Sequence, residues 1–336
     1  MGLQLTSLVQ GEFITVEELF DKVVAIDAFN WIYQFLSIIR QPDGTPLKDS
    51  HDRVTSHLSG LYYRTLKLLE AGVRPVYVFD GKPPEFKAVV AKRRDIRAEA
   101  MREWQQALER KDYEAASKFA KRSTTITAEI IEGSKQLLET MGIPFIQAPS
   151  EGEAMCALLV KNKDAWCAAS QDYDTLLFGA DRLVRNLSIS GKKKRGKETV
   201  FVNPEMLTLE ATLKNLGITR DQLIIVGMLM GTDFNPGGIA GYGPKKALDL
   251  VREKKTLKRV FEDLPWDVSV SQEEIFNFFK NPPSVGYNIK FKEPDEAAIK
   301  KFLCDEHDFS EERIGNALSK LAGKKDGQKS LSRWIR

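Results

Sequence analysis

Seven carboxylates, Asp27, Asp80, Glu151, Glu153, Asp172, Asp174 and Asp233, stand out by type and spacing. Two pairs are close in sequence, an E-x-E at 151–153 and a D-x-D at 172–174. Brought together, so many carboxylates would repel one another unless cations neutralised them. An all-oxygen ligand set with no Cys or His favours Mg²⁺ or Mn²⁺ over zinc. The three histidines (His51, His57, His307) fall in no motif, so histidine-based acid–base or nucleophilic chemistry is not indicated. A two-metal site needs none, since one ion supplies a hydroxide from bound water and the other stabilises a leaving oxygen.

Each acid also has a plain structural reading. Asp27 and Asp172 can cap the helices that follow them. Ser150 and Glu153 read as an S-x-x-E capping box, and Asp80-Gly81 is a common turn pair. Capping alone does not explain why apolar strands end repeatedly in acids. In extended chain, Asp172 and Asp174 would share a face. On a helix Glu151 and Glu153 would not, so these two should play unequal parts, one bridging or outer-shell.

The elements that must position these acids are readable from hydrophobic patterning. Buried strands are predicted at 22–29, 74–81, 164–172 and 198–204, with helical periods at 29–39, 53–71, 85–120, 126–141 and 151–162. Alternating strands and helices predict an α/β fold with a mostly parallel central sheet and helices on both faces. In such sheets ligands gather at the carboxyl ends of the strands, where Asp27, Asp80 and Asp172 fall. Residues 87–122 carry eleven Lys/Arg against six Asp/Glu at helical spacing, which alone reads as a solvated helical hairpin. The apolar run 223–230 enters a Gly-rich turn, GTDFNPGGIAGYGPKKA at 231–247. Gly241 and Gly243 would let backbone N–H groups approach a phosphate at the next helix start, and Lys245 and Lys246 would add charge. The basic run at 191–197 reads as an exposed hairpin loop.

Composition sets the outer limits. The 336 residues are 42% hydrophobic and 29% charged, with a net charge of +3 that by itself points to no nucleic-acid partner. Three scattered cysteines fit reduced thiols rather than disulfides or a zinc finger. No stretch is long and apolar enough to cross a membrane, and the start lacks a secretory signal. Gly2 and Thr6 fit a permissive acylation pattern. No Pro/Ser-rich linker or repeat divides the chain, so one unit over 1–322 and a polar tail over 323–336 are expected.

In order and spacing, AIDAFNWIYQF (25–35), VFDGKPPEFK (78–87), PSEGEA (149–154), SQDYDTLLFG (170–179), GTDFNPGGIAGYGPKKALDLV (231–251) and EPDEAAIKKFLCDEHDFSEERI (293–314) resemble the archaeal and eukaryotic flap endonuclease family of XPG-like 5′ nucleases. The likeness covers nearly the whole chain and is closer to the archaeal form. It implies a PIN-like nuclease core, a helical arch at about 82–127 and a helix–two-turn–helix at about 223–255. The implied activity is two-metal hydrolysis of 5′ flaps in replication and repair, with 5′–3′ exonuclease activity on nicked or gapped duplex. Asp27, Asp80, Glu151 and Glu153 would mainly serve one Mg²⁺ (Mn²⁺ substituting) and Asp172 and Asp174 the other, with Asp233 orienting water. Lys87 and Arg93 would reach the scissile phosphate, and Tyr33 would stack on a base. Gly2, once Met1 is removed, would lie near the active site, a reading that competes with acylation. Gly241, Gly243, Lys245 and Lys246 would hold duplex backbone, with a monovalent cation in the turn. In the tail, Gln328, Leu331, Trp334 and Ile335 match a sliding-clamp (PCNA) binding peptide, Ile335 replacing the second aromatic residue. The expected protein is a monomer, in the cytoplasm if archaeal or the nucleus if eukaryotic. Two alternatives stand beside this reading, a related repair nuclease acting on bubbles or duplex ends and a non-catalytic DNA-junction binder.

Overall fold

The computed structural model describes residues 5–84, 89–110, 112–189, 191–195 and 198–323, and of these the backbone alone at 89–94, 114, 117, 192–195, 198–200 and 320–323. The strands are β1 (Glu12–Phe13), β2 (Val23–Asp27), β3 (Arg74–Phe79), β4 (Phe145–Gln147), β5 (Cys167–Ala169), β6 (Arg182–Arg185), β7 (Gly191–Arg195), β8 (Glu198–Val202) and β9 (Glu205–Thr208). The helices are α1 (Ala28–Ile38), α2 (Ser56–Glu70), α3 (Val89–Glu109), α4 (Tyr113–Arg122), α5 (Ala128–Thr140), α6 (Gly152–Lys161), α7 (Asp174–Leu177), α8 (Leu209–Leu216), α9 (Arg220–Met230), α10 (Pro244–Lys254), α11 (Leu257–Phe261), α12 (Gln272–Lys280), α13 (Glu296–Lys300) and α14 (Glu311–Gly323).

Among the described residues the main sheet has seven strands in the order β1-β9-β6-β5-β2-β3-β4. From β6 to β4 neighbouring strands are parallel, while β9 and β1 add antiparallel pairs at one edge. The strand predicted at 198–204 does not join this sheet. Residues 198–202 form β8, which among the described residues pairs with β7 in a separate antiparallel ribbon. In the basic run at 191–197, Gly191–Arg195 is β7 itself, and 196–197 lie outside the described residues. The strand predicted at 164–172 shrinks to Cys167–Ala169 because the chain turns at Ser170 to bring the next acids round.

Alternation along β2 places a core on each face, as a pleated strand covered by helices on both sides requires. Val24 and Ile26 pack with Trp31, Leu61 and Leu137 from α1, α2 and α5. Ala25 packs with Met155, Leu176 and Ile225 from α6, α7 and α9. Helices α3 and α4 pack on each other, with Ala100, Ala107, Ala116 and Ala120 fully or nearly buried along them. Small side chains let the two backbones approach closely. The pair is tied to the chain after α1: Arg40 donates to Thr124 Oγ1 at 2.7 Å and the Trp104 indole donates to the Asp43 carbonyl at 3.4 Å. Among the described residues no helix is long and apolar enough to cross a membrane.

Candidate metal centre

Asp27 closes β2 and begins α1, where its Oδ1 accepts from the Asn30 N–H at 3.0 Å. The capping role read from the sequence is real, and it leaves Oδ2 facing Ser170 Oγ at 3.1 Å. Asp80 follows β3, and its Oδ1 accepts from the Gly152 N–H at 2.7 Å. That contact depends on a missing side chain, since a Cβ on Gly152 would lie 2.6 Å from Asp80 Oδ1. Beside it the Gly81 N–H donates to Ser150 O at 2.6 Å, and a Cβ on Gly81 would lie 2.1 Å from Ala148 O. Two glycines thus let the end of β3 and the start of α6 touch backbone to backbone.

The expected capping box at Ser150 is absent. Glu151 is the N-cap residue of α6 with no side-chain cap bond, and the buried Ser150 hydroxyl has no hydrogen-bond partner among the described residues. Glu153 does not reach back to Ser150. It turns inward, its Oε1 accepting from the Ser170 hydroxyl at 2.9 Å. Ser170 is thus a hub: its oxygen lies within reach of Asp27 and Glu153 and accepts from the Asp172 N–H at 3.2 Å. Sequence reasoning misses this residue, because a lone Ser in SQDYD carries no periodic signal.

Glu153, Asp172 and Asp174 each offer a carboxylate oxygen, and these oxygens all lie within 4.8 Å of one another. Extended-chain alternation is not the reason that Asp172 and Asp174 converge. Asp172 lies in the turn after β5 and Asp174 is the first residue of α7, with the Asp174 N–H donating to Asp172 Oδ1 at 3.4 Å. Asp174 is 4% exposed and Asp27 5%, whereas Glu153 and Asp172 keep some solvent access.

Burial first, then the charges of Asp172, Asp27 and Asp174, pushes the Glu153 carboxyl well above the usual carboxylate range, against the pull of the Ser170 hydrogen bond. Asp172 is raised to about 6, by burial first and then by the charge of Asp233. Crowded, partly desolvated acids are under electrostatic stress that an added cation would relieve. With oxygen donors only, the set fits a hard divalent ion.

Asp233 follows α9 in a turn locked by Thr232, whose N–H and hydroxyl donate to Asn235 Oδ1, while Asn235 Nδ2 donates to Met228 O at 2.6 Å. Beyond it Gly241 has φ +84°, with open space for 4 Å around the point where a Cβ would stand, and Gly243 is the N-cap of α10. Lys245 and Lys246 are exposed on the first turn of that helix. Tyr33 lies partly exposed on α1, six residues past Asp27 and so about 9 Å along the helix. Arg93 falls within α3, but its side chain lies outside the described residues, as do Gly2, Lys87, Gln328, Leu331, Trp334 and Ile335.

Residues 3–100 match the XPG N-terminal domain and residues 142–233 the XPG I-region. The chain is 53% identical over 342 residues to Flap endonuclease 1 of Thermococcus onnurineus, covering 100% of this chain and 99% of that one. The solved structure of flap endonuclease-1 from Methanococcus jannaschii aligns with TM-score 0.75 and 39% identity, covering 96% of this chain and 98% of that one. The catalytic core of Rad2 in complex with DNA substrate shares the fold at TM-score 0.72 and 24% identity, covering 96% of this chain and 100% of that one.

Proposed function

The chain belongs to the flap endonuclease family, and from that premise we propose that it is a structure-specific endonuclease removing 5′ flaps from branched DNA in replication and repair. Nicked or gapped duplex ends would be a second substrate class, degraded 5′ to 3′. The observation that carries the proposal is the convergence of Glu153, Asp172 and Asp174 within 4.8 Å at the carboxyl edge of a parallel sheet.

We assign Asp27, Asp80, Glu151, Glu153, Asp172, Asp174 and Asp233 to a two-ion Mg²⁺ site in which Mn²⁺ can substitute. When bound, such ions supply a metal-activated water and stabilise the leaving oxygen. The chain's own part is positioning. Ser170 holds Asp27 and Glu153 at a fixed spacing, the Gly152 N–H orients Asp80, and the turn at Asp172 delivers two carboxylates to one point. Lys87 and Arg93 are assigned to the scissile phosphate, where cationic donors stabilise developing charge, and Tyr33 to the base beside it.

Duplex backbone would be held at Gly241, Gly243, Lys245 and Lys246, by N–H groups and charge that read no sequence, with a monovalent cation as a further ligand of the turn. The tail, through Gln328, Leu331, Trp334 and Ile335, would bind a sliding clamp. The protein would act as a monomer, in the cytoplasm as expected of a chain so similar to an archaeal protein.

The test is cleavage of a 5′-labelled double-flap DNA in Mg²⁺, beside an EDTA control and Asp174→Ala. One short product at the flap base, lost on chelation and in the variant, is the expected outcome. Tight binding without product in Mg²⁺ or Mn²⁺ would instead leave a junction-binding protein.

A further inference from the structure

Arg220 is the first residue of α9, and its guanidinium reaches away from that helix to the ends of two others. Nε donates to Leu177 O at 3.0 Å and Nη2 to Phe178 O at 2.9 Å, at the C-terminal end of α7. Nη2 also donates to Phe279 O at 2.8 Å and lies 3.5 Å from Lys280 O, at the C-terminal end of α12. Helix ends leave carbonyls without partners and carry partial negative charge, so one fixed cation satisfies both. Gly179, at φ +94°, makes the approach possible, because a Cβ there would lie 2.9 Å from Arg220 Cζ. The fork geometry matters, since a lysine offers one point of attachment where arginine offers several in a plane.

The helix held in this way has a single turn, and Asp174 is its first residue. A four-residue helix has little stability of its own, because nucleation is unfavourable. Its position is therefore set from outside. On one side Phe178 packs against Phe279 and Phe278, with ring centroids 4.8 and 5.9 Å apart, and Phe234 closes the same cluster at 4.9 and 5.3 Å. On the other, Arg220 grips its carbonyls. The opposite end of α9 leads to Asp233, whose charge acts on Asp172. One helix thus bears on the Asp172–Asp174 segment from both its ends, through the Arg220 hydrogen bonds at the end of α7 and through the charge of Asp233, and it continues into the Gly-rich turn before α10.

We propose that Arg220 is a positioning residue that fixes α7, and with it Asp172 and Asp174, relative to Glu153 and to the α9–α10 turn. Its donors are spent on backbone carbonyls at the ends of α7 and α12. The inference rests on the metal-site reading given above.

The test is Mn²⁺ binding to the full chain without DNA, followed by electron paramagnetic resonance, for the parent, Arg220→Gln and Arg220→Lys. DNA affinity is measured alongside in Ca²⁺. Arg252, which donates twice to Leu216 O at the end of α8, provides a matched control as Arg252→Gln. Arg220→Gln should weaken Mn²⁺ binding at least tenfold with DNA affinity changed less than about twofold, Arg220→Lys should fall between, and Arg252→Gln should lose thermal stability alone. Equal Mn²⁺ affinity in parent and Arg220→Gln, or equal losses in Arg220→Gln and Arg252→Gln, would overturn it. If Arg220→Gln does not fold, parental Mn²⁺ affinity in folded Arg220→Lys would overturn it too. A parent that binds no Mn²⁺ would instead remove the metal-site reading.

Discussion

Asp80 Oδ1 accepts a 2.7 Å hydrogen bond from the Gly152 N–H, so the end of β3 is fastened to the first turn of the helix that carries Glu153. Helical Gly→Ala exchanges usually stabilise, by roughly 1 kcal/mol. Here the added Cβ would meet Asp80 Oδ1 at 2.6 Å and Val78 O at 3.3 Å. Gly152→Ala should therefore destabilise by about 1–3 kcal/mol through crowding and displace the Asp80 carboxylate from its contact with the start of α6. Thermal melts and flap cleavage at saturating Mg²⁺ check both parts. A variant more stable than the parent with undiminished turnover would contradict the argument.

Ser170→Ala removes a hydroxyl that lies 2.9 Å from Glu153 Oε1 and 3.1 Å from Asp27 Oδ2. Hydrogen bonds to charged groups contribute about 1.5–3 kcal/mol, here to the spacing of two acids rather than to the fold at large. The Mg²⁺ concentration for half-maximal cleavage should rise about tenfold in Ser170→Ala, the equivalent of roughly 1.4 kcal/mol. Ser170→Thr, which keeps the hydroxyl, should stay close to the parent. A Mg²⁺ titration of cleavage rate separates the two.

How far the sequence exposed this site depends on the kind of signal each residue carries. Strand β2 was legible because an unbroken apolar run ends in Asp27, and the helices because their periods are long. Strands β4, β6 and β9 were missed at three or four residues each, too short for alternation to register. The strand expected at 198–204 does form, as β8, but its pairing with β7 outside the main sheet cannot be read from composition. The carboxylates were found as types, yet the reasons for their convergence were not. Asp172 and Asp174 meet through a turn and a helix start, and Ser150 leaves its capping box unmade so that Glu153 can face inward. Ser170 and Arg220 act through contacts 17 and 43 residues away, and such contacts leave no local pattern.

Without a cation the acidic cluster opposes folding as pH rises. The Asp172 carboxyl is raised from 3.8 to about 6 in the fold, so the unfolded chain ionises first. Stability is full below about 3.8 and is lost as pH climbs to about 6. A bound divalent ion favours the ionised form and competes with the proton. The melting temperature gained on adding Mg²⁺ should therefore be small at about pH 5 and grow through about pH 6 to 7. Melts with and without Mg²⁺ at each pH, repeated on Asp172→Asn, measure it, and the pH trend should flatten in the variant.

His57 works in the opposite direction. It is 3% exposed, neither ring nitrogen has a hydrogen-bond partner among the described residues, and burial first, then the charge of His307, pulls it from 6.5 to about 3. As pH falls below 6.5 the unfolded chain takes up the proton and the folded chain does not. Stability is thus complete above about 6.5 and lost at about 1.4 kcal/mol per pH unit below it. Urea unfolding at about pH 7 and about pH 5 should differ by about 2 kcal/mol through this group. His57→Gln should remove most of that difference, and a parent equally stable at both values would refute it.

The α9–α10 turn should bind DNA through charge and backbone rather than base identity. Lys245 and Lys246 are exposed on the first turn of α10, and Gly241 at φ +84° shapes the backbone before it. Removing one cation that neutralises a phosphate should lower the slope of log affinity against log salt by about 1. Lys245→Ala with Lys246→Ala should therefore weaken duplex binding in Ca²⁺ equally across unrelated sequences and flatten the salt dependence by about 2. Gly241→Ala leaves the charges in place but puts a Cβ on a left-handed residue, at a cost of about 1 kcal/mol or more. It should weaken binding with the salt slope nearly unchanged. Fluorescence anisotropy over a salt series distinguishes these outcomes, because charge loss changes the slope and backbone distortion changes only the intercept. If the double lysine variant kept the parental slope, the duplex would have to be held elsewhere on the protein.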